Sequence, residues 1–167
     1  SNFAKWNGSK YAVFCNSGSS ANLLALAALK FHPSSAGIDG GKNKIIVPSV
    51  SWSTTYSPII HLGFDVEFVD VCPRSFAIDV DSILTMNGED VFAVFAVNLL
   101  GGAVDYQRLI SWCETNSVYL IEDNCESMGC TLGAKKTGTF GVVGTQSMFF
   151  SHHMSTMEGG VCTTDDE

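Results

Sequence analysis

Short apolar runs alternate with helix-like stretches along most of the 167 residues. Tyr11–Cys15 predicts a strand, after which Asn16-Ser17-Gly18-Ser19-Ser20 opens an Ala- and Leu-rich helix reaching about Phe31. Ser34 to Asn43 reads as a Gly/Ser loop. Lys44–Pro48 predicts a second strand, and Ser53 to Leu62 a helix that Pro58 disturbs. A strand at Val66–Val69 and a short helix from Asp79 to Met86 follow. Val91–Val97 is apolar at every position, the pattern of a strand buried on both faces. Tyr106 to Thr115 predicts a helix, and Val118–Ile121 a buried strand ending at Glu122-Asp123. Thr145 to Phe150 and Gly160–Thr164 complete the strands. This alternation predicts an α/β fold, a mostly parallel central sheet flanked by helices. Ser1 to Trp6 reads as mid-helix and Val161–Thr164 as a strand with nothing after it, so the expectation is a fragment.

Composition narrows the function classes. Hydrophobic residues make up 46% and charged residues 16%, enough apolar surface for one packed domain. The net charge of −8 disfavours nucleic acid, which calls for clustered Lys and Arg. The run Val91–Val97 is far too short to span a bilayer, so no membrane partner is expected. Six cysteines without disulfide-scaffold or CxxC spacing read as reduced structural thiols, implying a cytoplasmic compartment.

Four segments carry candidate chemistry. A strand, Gly18, the hydroxyls of Ser19 and Ser20 and a helix start form a phosphate cradle, since first-turn amides and the macrodipole favour a dianion. The plainer reading is an ordinary serine cap. Asp123 stands at the carboxyl end of a buried strand, where α/β sheets bind ligands, and could pair with a cationic ring nitrogen; alternatively it caps a helix or holds a loop. Trp52 follows a strand and could stack on a heteroaromatic ring or serve as a core or interface residue. Finally, Ser147-Met148-Phe149-Phe150-Ser151-His152-His153 leads to Glu158-Gly159-Gly160. A paired-histidine metal site is disfavoured, because neighbours on a strand point apart and no third ligand is evident; no metal is expected.

Together these segments resemble the DegT/DnrJ/EryC1/StrS sugar aminotransferase family, in the family's motif order. Ser17-Gly18-Ser19-Ser20-Ala21 is similar to its phosphate-binding turn, and Val47 to Trp52 to the segment whose aromatic residue stacks on the cofactor. Leu120-Ile121-Glu122-Asp123 through Gly129 resembles its IEDxxxxxG block, and Gly138 to Gly141 with Ser147 the stretch before its lysine. The resemblance implies an aspartate-aminotransferase-like large domain (fold type I) over residues 1–167, with its N-terminal start and a smaller C-terminal domain missing. It implies that Gly18, Ser19, Ser20 and Ser147 hold the phosphate, Trp52 the ring face and Asp123 the ring nitrogen, with Glu126 near the ring hydroxyl. At the position of the Schiff-base lysine stands His152.

That departure resembles the histidine-bearing branch, the 3-dehydratases that use pyridoxamine 5′-phosphate (PMP) on nucleotide-linked 4-keto-6-deoxy sugars in lipopolysaccharide-type deoxysugar biosynthesis. It implies a noncovalently held PMP or pyridoxal 5′-phosphate (PLP), His152 as the base and a homodimer. The branch holds two subtypes, one using an iron–sulfur cluster and a reductase and one regenerating PMP with glutamate as amino donor; the second is the expectation. The alternatives are a sugar aminotransferase and a noncatalytic sensor that kept the pocket.

Overall fold

The computed structural model describes residues 1–32 and 41–167. Most of the predicted loop from Ser34 to Asn43 lies outside the described residues. Nine strands and five α-helices follow the predicted order closely among the described residues. They are α1 (Asn2–Asn7), β1 (Tyr11–Cys15), α2 (Gly18–Phe31), β2 (Lys44–Pro48), α3 (Ser53–His61) and β3 (Asp65–Val69). Then come α4 (Val80–Leu84), β4 (Val91–Val97), α5 (Tyr106–Asn116), β5 (Tyr119–Asp123), β6 (Thr131–Leu132), β7 (Lys135–Lys136), β8 (Val143–Ser147) and β9 (Gly160–Thr164).

The main sheet runs β1-β9-β8-β5-β4-β2-β3. Pairings from β8 through β5, β4 and β2 to β3 are parallel, and β9 runs antiparallel to both neighbours. This is the mostly parallel α/β architecture expected. β4 is buried at every residue because it lies inside the sheet with helices over both faces. One face packs Ala21, Ala25 and Leu26 of α2 and Ile59 of α3 on Ile45, Phe92 and Ile121. The other packs Tyr106, Leu109 and Trp112 of α5 on Val94, Ala96 and Leu120. No helix among the described residues is long and apolar enough to cross a membrane.

In α1 the Ser1 hydroxyl accepts from the Ala4 amide at 3.2 Å. Pro58 lies inside α3, which continues to His61. One local expectation is corrected. The chain leaves the sheet at Ser147 rather than Phe150, because the β8–β9 pairing ends at Ser147 opposite Gly160. His152 therefore stands in the loop joining β8 to β9, not at a strand end. The β6–β7 hairpin had no alternating signal to announce it.

Burial also sets the response to alkali. It pushes the Cys113 and Cys162 thiols up to about 12 from 9.0, and drives the Tyr106 phenol well above its usual 10. The unfolded chain would release these protons from about pH 9 upward while the folded chain keeps them, so unfolding gains as pH rises. The melting temperature is expected to hold up to about pH 8 and to fall steadily through pH 9–12. A Cys162→Ala variant should show a shallower fall in the same calorimetric series.

Candidate active site

The strand ends Val97, Asp123 and Ser147 meet the amino ends of α2 and α3 along one edge of the sheet. There they enclose a cleft of about 420 Å³, lined among others by Gly18, Ser19, Trp52, Asp123, Glu126, Ser147 and His152. That volume lies in the roughly 300–1,000 Å³ range of small-molecule sites. The position follows from topology, since parallel strands present their carboxyl ends, and the helices that follow them their amino ends, to the same side.

Two glycines allow the elements to close. A Cβ on Gly18 would lie 2.6 Å from Ser147 Cβ and 3.0 Å from Cys125 Sγ. One on Gly160 would lie 2.1 Å from the Ser17 carbonyl oxygen. Glycine at both places lets the first turn of α2 rest against the end of β8. The Ser17 hydroxyl accepts from the Ser20 amide at 3.1 Å, capping the helix. The Gly18 and Ser19 amides belong to the first turn, where no helical acceptor exists, and they sit beside the buried Ser147. No Lys or Arg lines the cleft among the described residues, so these amides and hydroxyls are what the lining offers an anion. Ser20 is not in the lining; helical geometry turns it aside and its hydroxyl accepts from that of Ser17 at 3.1 Å.

Asp123, 5% exposed, reaches the cleft from β5. Its Oδ2 accepts from Asn22 Nδ2 of α2 and Thr55 Oγ1 of α3, each at 2.8 Å. Its Oδ1 accepts from the Cys125 amide at 3.1 Å. The neighbouring Glu122, wholly buried, points to the opposite face of the sheet. It accepts from the amides of Gly138 and Gly141, each at 2.7 Å, from that of Phe140, and from Asn98 Nδ2 at 3.2 Å. Cys125 lines the cleft, but burial, reinforced by the Asp123 charge, pushes its thiol well up. It stays protonated and is no nucleophile.

The β8–β9 loop forms the remaining wall. It is closed at its base by the Met148 amide donating to the Gly159 carbonyl at 2.9 Å. His152 is half-buried within the lining, with its amide donating to the Phe149 carbonyl at 3.0 Å and its ring edge-on to Phe149. His153 is exposed and outside the lining. Trp52, 71% exposed, lines the cleft, which removes the reading of a core tryptophan.

No lysine reaches this cleft among the described residues. Lys136 donates to the Trp6 carbonyl at 2.7 Å, and Lys135 lies over the Phe140 ring at 4.7 Å. The first turn of α2, a buried carboxylate, an exposed tryptophan and a histidine thus share one cavity.

A model of the DegT/DnrJ/EryC1/StrS aminotransferase family matches residues 1–167. The chain belongs to that family. It is 47% identical over 99% of its length to a GDP-4-keto-6-deoxy-D-mannose 3-dehydratase of Yersinia pseudotuberculosis, spanning 42% of that protein. The E. coli enzyme of that name, solved with bound hydrated PLP, superposes with a TM-score of 0.93 at 46% identity over 99% of this chain and 42% of that one. A GDP-4-keto-6-deoxymannose 3-dehydratase with a trapped PLP-glutamate geminal diamine matches equally, with a TM-score of 0.93, 46% identity and the same coverage. The chain therefore has the PLP-dependent fold type I architecture and spans less than half the length of these relatives. Asn22, Thr55, Cys125 and Glu158, which the sequence did not single out as site residues, also line the cleft, as does Ser17 of the turn before α2. For Asn22 a signal existed: it is a polar residue in the stripe Gly18, Ala21, Asn22, Ala25 that α2 buries.

Gly18→Ala tests the cradle. The added methyl should cost about 1–3 kcal/mol of stability, as overpacking typically does. It should also weaken protection by phosphate or PLP, both read by thermal melts with and without ligand.

Proposed function

We propose that this chain is the cofactor-binding large domain of a longer PMP/PLP-dependent enzyme that removes the C3 hydroxyl of a nucleotide-linked 4-keto-6-deoxy sugar. The observation carrying this reading is His152 in the cleft with Asp123 and the Gly18 cradle, while Lys135 and Lys136 are engaged elsewhere. The names of the relatives at 46–47% identity agree with it.

The residues present fit the cofactor. Gly18 keeps open a close approach that a side chain would fill, and Asp123, in the cleft lining, has its Oδ2 filled by Asn22 and Thr55 while Oδ1 accepts from the Cys125 amide and retains capacity toward the cleft. When bound, PMP supplies an amine for the C4 ketone and an acidic C4′ carbon whose deprotonation releases the electrons that expel the C3 hydroxyl. The Gly18 and Ser19 amides and the Ser147 hydroxyl hold the phosphate. Trp52 covers the ring face, Asp123 keeps a proton on the ring nitrogen, and Glu126 faces the ring hydroxyl. His152, with its imidazole in the cleft lining, would take the proton from C4′ and return it to the departing hydroxyl. Lacking an amine at that position, the protein binds the cofactor without a covalent bond.

Glutamate serves as amino donor, the enzyme works as a cytoplasmic homodimer, and its product enters lipopolysaccharide-type deoxysugar synthesis. The trapped PLP-glutamate species in a relative supports the choice of donor.

In the full-length protein, His152→Asn is expected to lower dehydration by about 10²–10⁴-fold with PMP binding retained. Loss of PMP binding would instead make His152 a cofactor ligand. Borohydride should leave no covalent adduct, by intact-protein mass spectrometry, and a stable adduct would defeat the reading. With a GDP-linked 4-keto-6-deoxy sugar and glutamate, a 3-deoxy product is expected; an amino sugar would favour an aminotransferase.

A further inference from the structure

Asn22 and Thr55 have no role in the reaction as described, yet both converge on the one carboxylate it needs. Resting on the cofactor reading above, we infer that Asn22 and Thr55 are positioning residues that keep the shared proton on the cofactor's ring nitrogen, by holding Asp123 as its anion and dedicating Oδ1 to the ring.

Asn22 is 1% exposed and both polar atoms of its side chain are hydrogen-bonded. One Nδ2 hydrogen goes to Asp123 Oδ2 at 2.8 Å and the other to the Thr54 carbonyl at 3.1 Å, while Oδ1 accepts from the Thr145 hydroxyl at 2.6 Å. The opposite amide orientation would aim an oxygen at both a carboxylate and a carbonyl, so the donor assignment is set by chemistry. The Thr54 carbonyl is available because the residue four positions on is Pro58, which has no N–H to give it. A proline that breaks the hydrogen-bond ladder of α3 thus orients the amide that reaches Asp123.

Thr55, wholly buried on the next residue of α3, supplies the second donor to the same oxygen at 2.8 Å. The two donors from α2 and α3 occupy Oδ2, whereas Oδ1 accepts from the Cys125 amide; the Cys125 thiol, a weak donor, also hydrogen-bonds this carboxylate. With Oδ2 filled, Oδ1 is the oxygen left to engage the ring. Donors to a carboxylate lower its hold on a proton. In the pair formed by Asp123 and a pyridine nitrogen, they bias the proton toward nitrogen, where the chemistry requires it.

The test is nitrogen-15 NMR of ring-labelled PMP bound to the full-length protein. Wild type should show a resonance near that of a protonated pyridine. Thr55→Val preserves shape and removes only the hydroxyl donor; its resonance should move downfield toward neutral pyridine, and Asn22→Leu should do the same. Thr55→Ser, which restores a hydroxyl, should return the signal to the wild-type position. A Thr55→Val protein that folds, binds PMP and gives the wild-type resonance overturns the inference, whatever Asn22→Leu does. If wild-type protein binds no PMP, the functional reading itself fails and takes the inference with it. If wild type binds PMP with an unprotonated nitrogen, only the inference falls.

Discussion

Two adjacent carboxylates at the end of β5 must be buried without a cation to neutralise either. Glu122 and Asp123 are 0% and 5% exposed, and among the described residues amides and a hydroxyl, rather than Lys or Arg, donate to them. Leaving such a charge uncompensated costs several kcal/mol, so the surrounding backbone has to deliver donors. Alternation along the strand sends the two side chains to opposite faces. On one face Glu122 gathers the turn from Gly138 to Gly141; on the other Asp123 gathers α2 and α3. Placement of the turn before β8, and of both helix starts, follows from satisfying this pair.

The cleft that results is shaped by neutral polar groups. First-turn amides of α2, the hydroxyls of Ser147 and Thr55 and the amide of Asn22 provide donors without bringing charge. The Cys125 thiol, kept protonated by burial, adds no reactive anion. His152 enters the cleft lining from a loop anchored at Met148 and Gly159. Family membership and the shared fold account for the strand-end cleft itself. The histidine in place of an amine is what separates the proposed dehydration from amine transfer.

Strand positions, their order and the α/β class were legible because a central strand such as Val91–Val97 has no polar face and because each helix start carries a serine or aspartate. The segments around Gly18, Trp52, Asp123, Ser147 and His152 were legible as motifs, and the structure gathers these five into one cavity. Ser20 lies outside the lining, since sequence adjacency does not tell which way a helix turn directs a hydroxyl. That Pro58 disturbs α3 was legible, but not that Asn22 of α2 would take up the carbonyl it frees.

The sequence alone thus determined which residue types are available at strand ends and helix starts, since local pattern and propensity act over a few positions. Only the tertiary structure decided that Asn22, Thr55 and Asp123 meet across separations of 101 and 68 residues, and that Lys135 and Lys136 point away from the cleft. Such contacts depend on how α2 and α3 settle on the sheet, which is set by packing and by the need to satisfy buried charge. No short stretch of chain encodes either one.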